Sequence, residues 1–224
     1  MQQFSRKLSL ASTFLRQRDF GEIVSILRTK VWYSERAVGL RRDLSIPFAA
    51  PVASIPISIR PATPKDIREI LNVSEPGISP AERRDRVMRF HLYDAGFSFC
   101  FVAVTGDDRP CFIQWVIPAQ ENRLLRQSFA GLFPDLAENQ FLFEGAYTPT
   151  AYRGQRIMPA AIVLIAERTA RMGATESLTF AGEENGASLK GCERAGFTPY
   201  MSRHVVHRLG FRKTRFTVLP SENR

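Results

Sequence analysis

Between the apolar run "FLFEGAYT" and a second apolar run that extends to Met172 lies a turn, Pro149 to Arg156, with Tyr152-Arg153-Gly154-Gln155-Arg156 as its basic centre. Pro159 has no N–H and is tolerated only in a first helical turn, so a helix begins near Arg156. The amides of Gly154, Gln155, Arg156, Ile157 and Met158 then point out of the helix start, flanked by the guanidiniums of Arg153 and Arg156. Free amides, the positive end of the helix dipole and two guanidiniums suit a diphosphate. They equally suit a surface turn with two solvated arginines, and the turn alone does not choose. Glu144 stands inside the apolar run just upstream. An unpaired carboxylate there is costly, and desolvation raises its pKa towards that of a general base near neutral pH. A strand-end glutamate facing solvent or an arginine is the competing reading.

These residues need a scaffold, and the sequence from Ile57 onwards describes a mixed α/β one. "ISIRPA" reads as a strand, running into a helix with Thr63 as N-cap, Pro64 at the first position and Asp66 in the first turn. A second helix is predicted over Ala81 to Asp94. "SFCFVAVTGDDRPCFIQWVIP" reads as two strands joined by a turn at Thr105 to Arg109. "ENRLLRQSFAGLF" is predicted helical and "FLFEGAYT" a buried strand. The helix after the basic turn ends at Gly173. "ESLTF" is a strand, Asn185 to Ala195 a short helix with Asn185 as a natural N-cap, and "HVVHRL" and "TRFTVL" are late strands. No Gly-rich βαβ opening is present, which argues against a dinucleotide fold.

Upstream, Ser9 to Val31 reads as helix, broken near Gly21, with Phe14, Leu15, Ile23, Val24, Ile26 and Leu27 on its apolar side. The expected organisation is a helical N-terminal extension over 1–45, a proline-containing linker over 46–56, a catalytic-type domain over 57–219 and a tail over 220–224.

Tyr152-Arg153-Gly154 at a helix start, then Asn185, Ser188, Gly196 and Phe197 around a later short helix, resemble two motifs of the GNAT N-acetyltransferase superfamily. The order of elements from Ile57 to about Leu219 is similar as well. The resemblance implies a GNAT-like mixed central sheet flanked by helices, with acetyl-coenzyme A as co-substrate and an amine as acceptor. Transfer would be direct, with Glu144 deprotonating the amine itself or through a water. Backbone amides of Ala146, Tyr147 and Thr148 would hold the thioester carbonyl. Arg153, Gly154, Gln155, Arg156, Ile157 and Met158 would cradle the diphosphate, and Asn185 and Ser188 would meet the pantetheine arm or the cofactor end. Cys192 stands where many relatives place a tyrosine that protonates the departing thiolate; it also reads as a small core residue. Arg156 and Met158 occupy positions that are usually small, but any residue except proline can donate a backbone N–H.

Composition bounds the alternatives. The 224 residues, 44% hydrophobic and 24% charged, can bury one substantial core. No apolar run approaches the ~18–20 residues of a membrane span, and no signal-peptide pattern is recognisable, so the cytoplasm is expected. Cys100, Cys111 and Cys192 are too scattered for a disulfide framework, and no ligand spacing suggests a metal. The net charge of +9 is concentrated at the ends: residues 1–45 and 201–224 carry +5 each, around a body of −1. Such ends suit an acidic partner or an anionic membrane surface, or are simply solvated; a basic stripe for nucleic acid is missing. Two further readings keep the fold: a non-catalytic binding protein, and a transferase using a longer acyl-coenzyme A or an acidic acyl carrier protein. By the same resemblance the acceptor would meet residues 79–97 and 203–217, which hold Arg83, Arg84, Arg89, His91, His204 and His207. That lining favours an acidic or sugar-phosphate acceptor. A homodimer remains open.

Overall fold

Side-chain chemistry sets the helix starts in the computed structural model, which describes residues 32–209 and 211–220. Strand β1 (Trp32–Asp43) is followed by β2 (Ile57–Pro61) and helix α1 (Pro64–Ile70). Thr63 caps α1, as the sequence predicts, and the Asp66 side chain accepts in return from the Thr63 amide, closing a reciprocal capping box. Arg60 adds a bidentate grip on the Asp66 carboxylate at 2.6 and 2.9 Å, tying β2 to the helix start. Those hydrogen bonds from Arg60 hold the Asp66 carboxyl down at about 2, against the opposing effect of burial. Helix α2 (Pro80–Ala95) is capped by Ser79 and stops at Gly96 in the left-handed region.

Strands β3 (Phe99–Thr105) and β4 (Pro110–Pro118) form the expected hairpin, followed by α3 (Asn122–Phe129), β5 (Gln140–Tyr147), α4 (Ile157–Arg171), β6 (Glu176–Gly182), α5 (Gly186–Arg194), β7 (Thr198–Arg208) and β8 (Phe211–Val218). The strands hydrogen-bond in the order β2-β3-β4-β5-β6-β1-β7-β8. Five helices flank this sheet among the described residues. Every residue of β4 is buried, which explains its continuous apolar sequence: both of its faces are covered. Phe112 and Val116 join the core with Ile157, Ala161 and Ile165 of α4. Ile113, Trp115 and Ile117 join a second core with Ile67 of α1, Leu92 of α2 and Leu125 of α3.

The described residues fall into two compact units, one of 37–202 with 217–220 and one of 32–36 with 203–216. In the smaller unit Ser34 meets His204 at 2.8 Å and Glu35 pairs with Arg203 at 3.1 Å. Tyr33 and His207 stack at a tilt, 6.0 Å apart.

The N-terminal organisation differs from expectation. The predicted helix over 9–31 lies outside the described residues, but 32–43, assigned to the same helical extension, is a strand. Residues 37–43 pair antiparallel with β6, from Ala37↔Gly182 to Asp43↔Glu176. The pair Arg41-Arg42 disguises this strand in sequence: Arg42 is buried, donates to the Ala195 carbonyl at 3.2 Å and lies over the Phe48 ring at 5.0 Å. The 46–56 stretch is extended, as its prolines suggest, yet it is not a boundary. Ala50, Ala53 and Ile55 pack on the α4 side of the core, and a Cβ at Gly196 would lie 2.8 Å from the Phe48 ring.

If β1 belongs to the body, Leu40→Ala should cost about 2–5 kcal/mol in urea unfolding, the range for emptying a core site. Leu40 is 2% exposed. A removable extension would show almost no change.

Candidate active site

The parallel pairing of β5 with β6 runs from Gln140↔Glu176 to Phe143↔Thr179 and stops there, although both strands continue. The Thr179 hydroxyl donates to the Phe143 carbonyl at 2.9 Å, at the last paired step. Beyond it Glu144, Gly145, Ala146 and Tyr147 leave β6. An opening between two strands exposes backbone donors and acceptors to whatever enters it.

A bulge on β5 shapes the same stretch. Across the β4–β5 ladder Trp115 faces Glu144 and Ile113 faces Tyr147, so the single residue Gln114 opposes Gly145 and Ala146. Gly145 has φ +70, and a Cβ on it would collide with Leu92 and lie 3.1 Å from Trp115. Gln114 is buried, and its amide donates to the Glu144 carbonyl at 2.7 Å and the Trp115 carbonyl at 3.2 Å. Arg89 Nε donates to the Ala146 carbonyl at 3.0 Å. Glu144 itself is half-buried.

The end of β5 is held by a charged network that the sequence reading did not single out. Tyr147 OH donates to Glu82 Oε1 at 2.6 Å and accepts from Arg86 Nε at 2.8 Å. Arg86 also pairs with Glu82 at 3.1 Å, with Glu75 and with the Asn72 carbonyl. The Thr150 hydroxyl donates to Glu82 Oε2, and the Thr150 amide reaches Oε1 at 3.4 Å. Burial pushes the Glu82 carboxyl up, but hydrogen bonds from Thr150, Tyr147 and Arg86 outweigh it and hold it at about 2. Burial and Glu82 together push the Tyr147 hydroxyl up to about 12. Arg89, Arg86 and Arg153 lie 5.3, 5.8 and 6.0 Å from the Tyr147 ring centre. The i,i+4 spacing of Glu82 and Arg86 was the legible signal; that the pair is buried was not.

The predicted turn forms where expected. Arg156 is the N-cap of α4 at φ +57, with no side-chain cap, and Gly154 has φ +79. Nothing lies within 4 Å of a Cβ built on Gly154, so the backbone is open to approach there. Arg153 Nε donates to the Thr148 carbonyl at 3.0 Å, and its guanidinium is 4.0 Å from Glu82. The structure thus brings Arg153 together with Tyr147 and Thr148. Gln155 accepts the Ser54 amide on its carbonyl at 2.9 Å, and Ile157 is buried under the helix start. Met158 does not crowd the turn: a Cβ on Gly191 of α5 would lie 3.0 Å from its sulfur, so the side chain rests on α5.

The α5 candidates are placed differently. Asn185 Oδ1 accepts from the Ser188 amide at 3.0 Å, the N-cap that its type suggests. Cys192 is buried in the α4-side core with Ile157 and Phe197, and burial pushes its thiol up to about 11. A concavity of about 700 Å³ opens at the other end of β5, lined by Arg41, Ser45, Asn139, Thr175 and Thr198. None of the predicted site residues lines it. Among the described residues no group of three or more His, Cys, Asp and Glu could hold a metal ion.

The Glu82 network makes stability depend on acid in a defined direction. A carboxyl held below its ordinary value stabilises the fold above that value and loses the effect as pH falls through about 2. The thermal-stability gap between the parent and Glu82→Gln should therefore be full above pH ~5 and close progressively below pH ~4. A gap that stays constant with pH would remove the ionised carboxylate from this role.

No family model and no curated protein matches the chain. Solved structures do. A GCN5-related glucosamine N-acetyltransferase region of a fungal multi-domain GH3 β-N-acetylglucosaminidase superposes with a TM-score of 0.57 at 16% identity, covering 83% of this chain and 22% of that one. A GCN5-related N-acetyltransferase from Sphaerobacter thermophilus gives 0.50 at 16% identity, covering 88% and 57%. A Drosophila protein gives 0.50 at 12% identity, covering 86% and 59%. The chain spans less than two thirds of the length of each of these three. The likeness is one of fold, and the chain has a GNAT-like mixed α/β fold.

Proposed function

We propose that the protein is an acyl-coenzyme A-dependent N-acetyltransferase, passing an acetyl group from acetyl-coenzyme A directly to an amine. The observation that carries this reading is the parting of β5 from β6 after Phe143, with a bulge at Gly145 and an open helix start at 154–158 downstream of the same strand. A thioester with a diphosphate-bearing tail asks for those two features in one chain segment.

The residues present fit such a substrate. The open backbone at Gly154 and the amides of Gln155, Arg156, Ile157 and Met158 would take the diphosphate, with the charges of Arg153 and Arg156 beside them. Amides along Ala146, Tyr147 and Thr148 would meet the thioester and its pantetheine arm, and one of them would stabilise the carbonyl oxygen as negative charge grows on it. Asn185 and Ser188 at the start of α5 would border the cofactor arm. The amine nitrogen bonds to the carbonyl carbon while the carbon–sulfur bond breaks. Its proton passes to Glu144, directly or through one water. Holding both partners in reach is largely an entropic contribution. The resemblance makes Cys192 a proton source for the departing thiolate. A thiol raised to about 11 within the core is a weaker acid than an ordinary thiol, however, which favours water in that role. Cys192→Ala should then leave turnover undiminished, and a fall in kcat would restore the cysteine as the acid.

Calorimetric titration with acetyl-coenzyme A, with desulfo-coenzyme A and ADP as controls, tests the cofactor half. Binding in the micromolar range should weaken by about tenfold in Arg153→Ala, as loss of one charge-assisted contact implies. With an acceptor amine, Glu144→Gln should lower kcat by about 10²–10⁴-fold and leave cofactor affinity nearly unchanged. Equal losses in kcat and affinity would count against the general base. Failure to bind acetyl- or longer acyl-coenzyme A would overturn the donor assignment.

A further inference from the structure

The β7–β8 hairpin carries exposed apolar side chains at its end. Leu209 and Phe211, on either side of the connection, are 72% and 83% exposed. Cations surround them: residues 203–216 contain Arg203, Arg208, Arg212, Lys213 and Arg215 and no aspartate or glutamate. Arg203 is engaged by Glu35, but Arg208, Lys213 and Arg215 are exposed. A shallow concavity of about 350 Å³ between the two strands is lined by His204, Arg208, Phe211, Arg212, Lys213 and Arg215, among others. Basic residues on β8, the last strand of the sheet, have an ordinary explanation, since Lys and Arg discourage edge-to-edge pairing. That explanation does not extend to a phenylalanine and a leucine projecting at the tip, which would promote association.

We infer that this hairpin docks the protein reversibly on an anionic lipid surface, with Leu209 and Phe211 entering the interface and Arg208, Lys213 and Arg215 meeting the headgroups. An aromatic tip prefers the headgroup boundary, and cations nearby gain from the negative surface potential. A projecting loop ringed by charge suits a fluid interface more than a protein partner. Arg212, Lys213 and Arg215 line one concavity with Phe211, so an aromatic side chain and several cations are offered together. No helix among the described residues is long and apolar enough to cross a membrane. This inference is independent of the acyl-transfer reading.

Co-sedimentation of the full chain with vesicles of phosphatidylcholine, with and without phosphatidylglycerol, tests it. The protein should pellet with the anionic vesicles, lose binding as salt is raised, and ignore the neutral ones. The double variant Leu209→Ser/Phe211→Ser should partition at least ~10-fold more weakly. Lys213→Glu/Arg215→Glu should bind at least ~25-fold more weakly, about fivefold for each cation removed. Because these side chains are exposed, thermal unfolding should match the parent and exclude misfolding as the cause. No binding to anionic vesicles would overturn the inference, as would parental binding by either variant. Saturable binding to an acidic carrier protein without vesicle binding would overturn the lipid assignment in favour of a protein partner.

Discussion

The Glu82 carboxylate is the constraint on which the candidate site depends. It lies on α2, yet it receives hydrogen bonds from Tyr147 at the end of β5 and from Thr150 at the start of the turn to α4, and Arg153 approaches it. One buried anion therefore fixes a helix, a strand end and a turn relative to one another. A buried carboxylate is tolerable only because Arg86 neutralises it and hydroxyls fill its remaining acceptor sites; removing one partner would leave the others uncompensated. Arg86 is itself satisfied by Glu75 and the Asn72 carbonyl, so α2 is also tied to the loop before it.

Given that anchor, the geometry of β5 follows. The strand must reach Tyr147 while its pairing with β6 ends at Phe143, and its ladder with β4 must absorb an extra residue. Gly145 absorbs it, because the left-handed backbone and the closeness of Leu92 and Trp115 exclude a side chain. At the bulge the buried Gln114 amide donates to the Glu144 carbonyl. Glutamine inside "PCFIQWVIP" would otherwise be an unexplained polar residue in a fully covered strand. Gln114 and Gly145 are two halves of one device.

Much of this fold was legible because it rests on local rules. The Thr63 cap, the Gly173 stop, the β3–β4 turn and the proline in the first turn of α4 each constrain the backbone within a few residues. The elements that were missed depend on distant partners. Nothing near Arg42 in sequence announces that its guanidinium will be buried against the Ala195 carbonyl, and without that knowledge 32–43 does not read as a strand inside a sheet. The Glu82–Arg86 spacing was visible, but an i,i+4 pair is usually a solvated one, and its burial depends on Tyr147, more than sixty residues away. For the site, the turn, Glu144 and the Asn185 cap were readable as residue types; the strand divergence and the bulge beside Glu144 were not.

Arg156 bears on whether the turn does more than connect. It holds φ +57 two residues after Gly154 at φ +79. A non-glycine residue in that region costs roughly 1–2 kcal/mol, and such outliers persist where the surroundings over-determine them, commonly at functional positions. The cost is not explained by capping, since Arg156 makes no side-chain cap on α4. Nor is it explained by packing, since the residue is exposed. A turn that served only to join β5 to α4 would be more stable with glycine at this position. What arginine adds is a positive charge at a helix start that already favours anions.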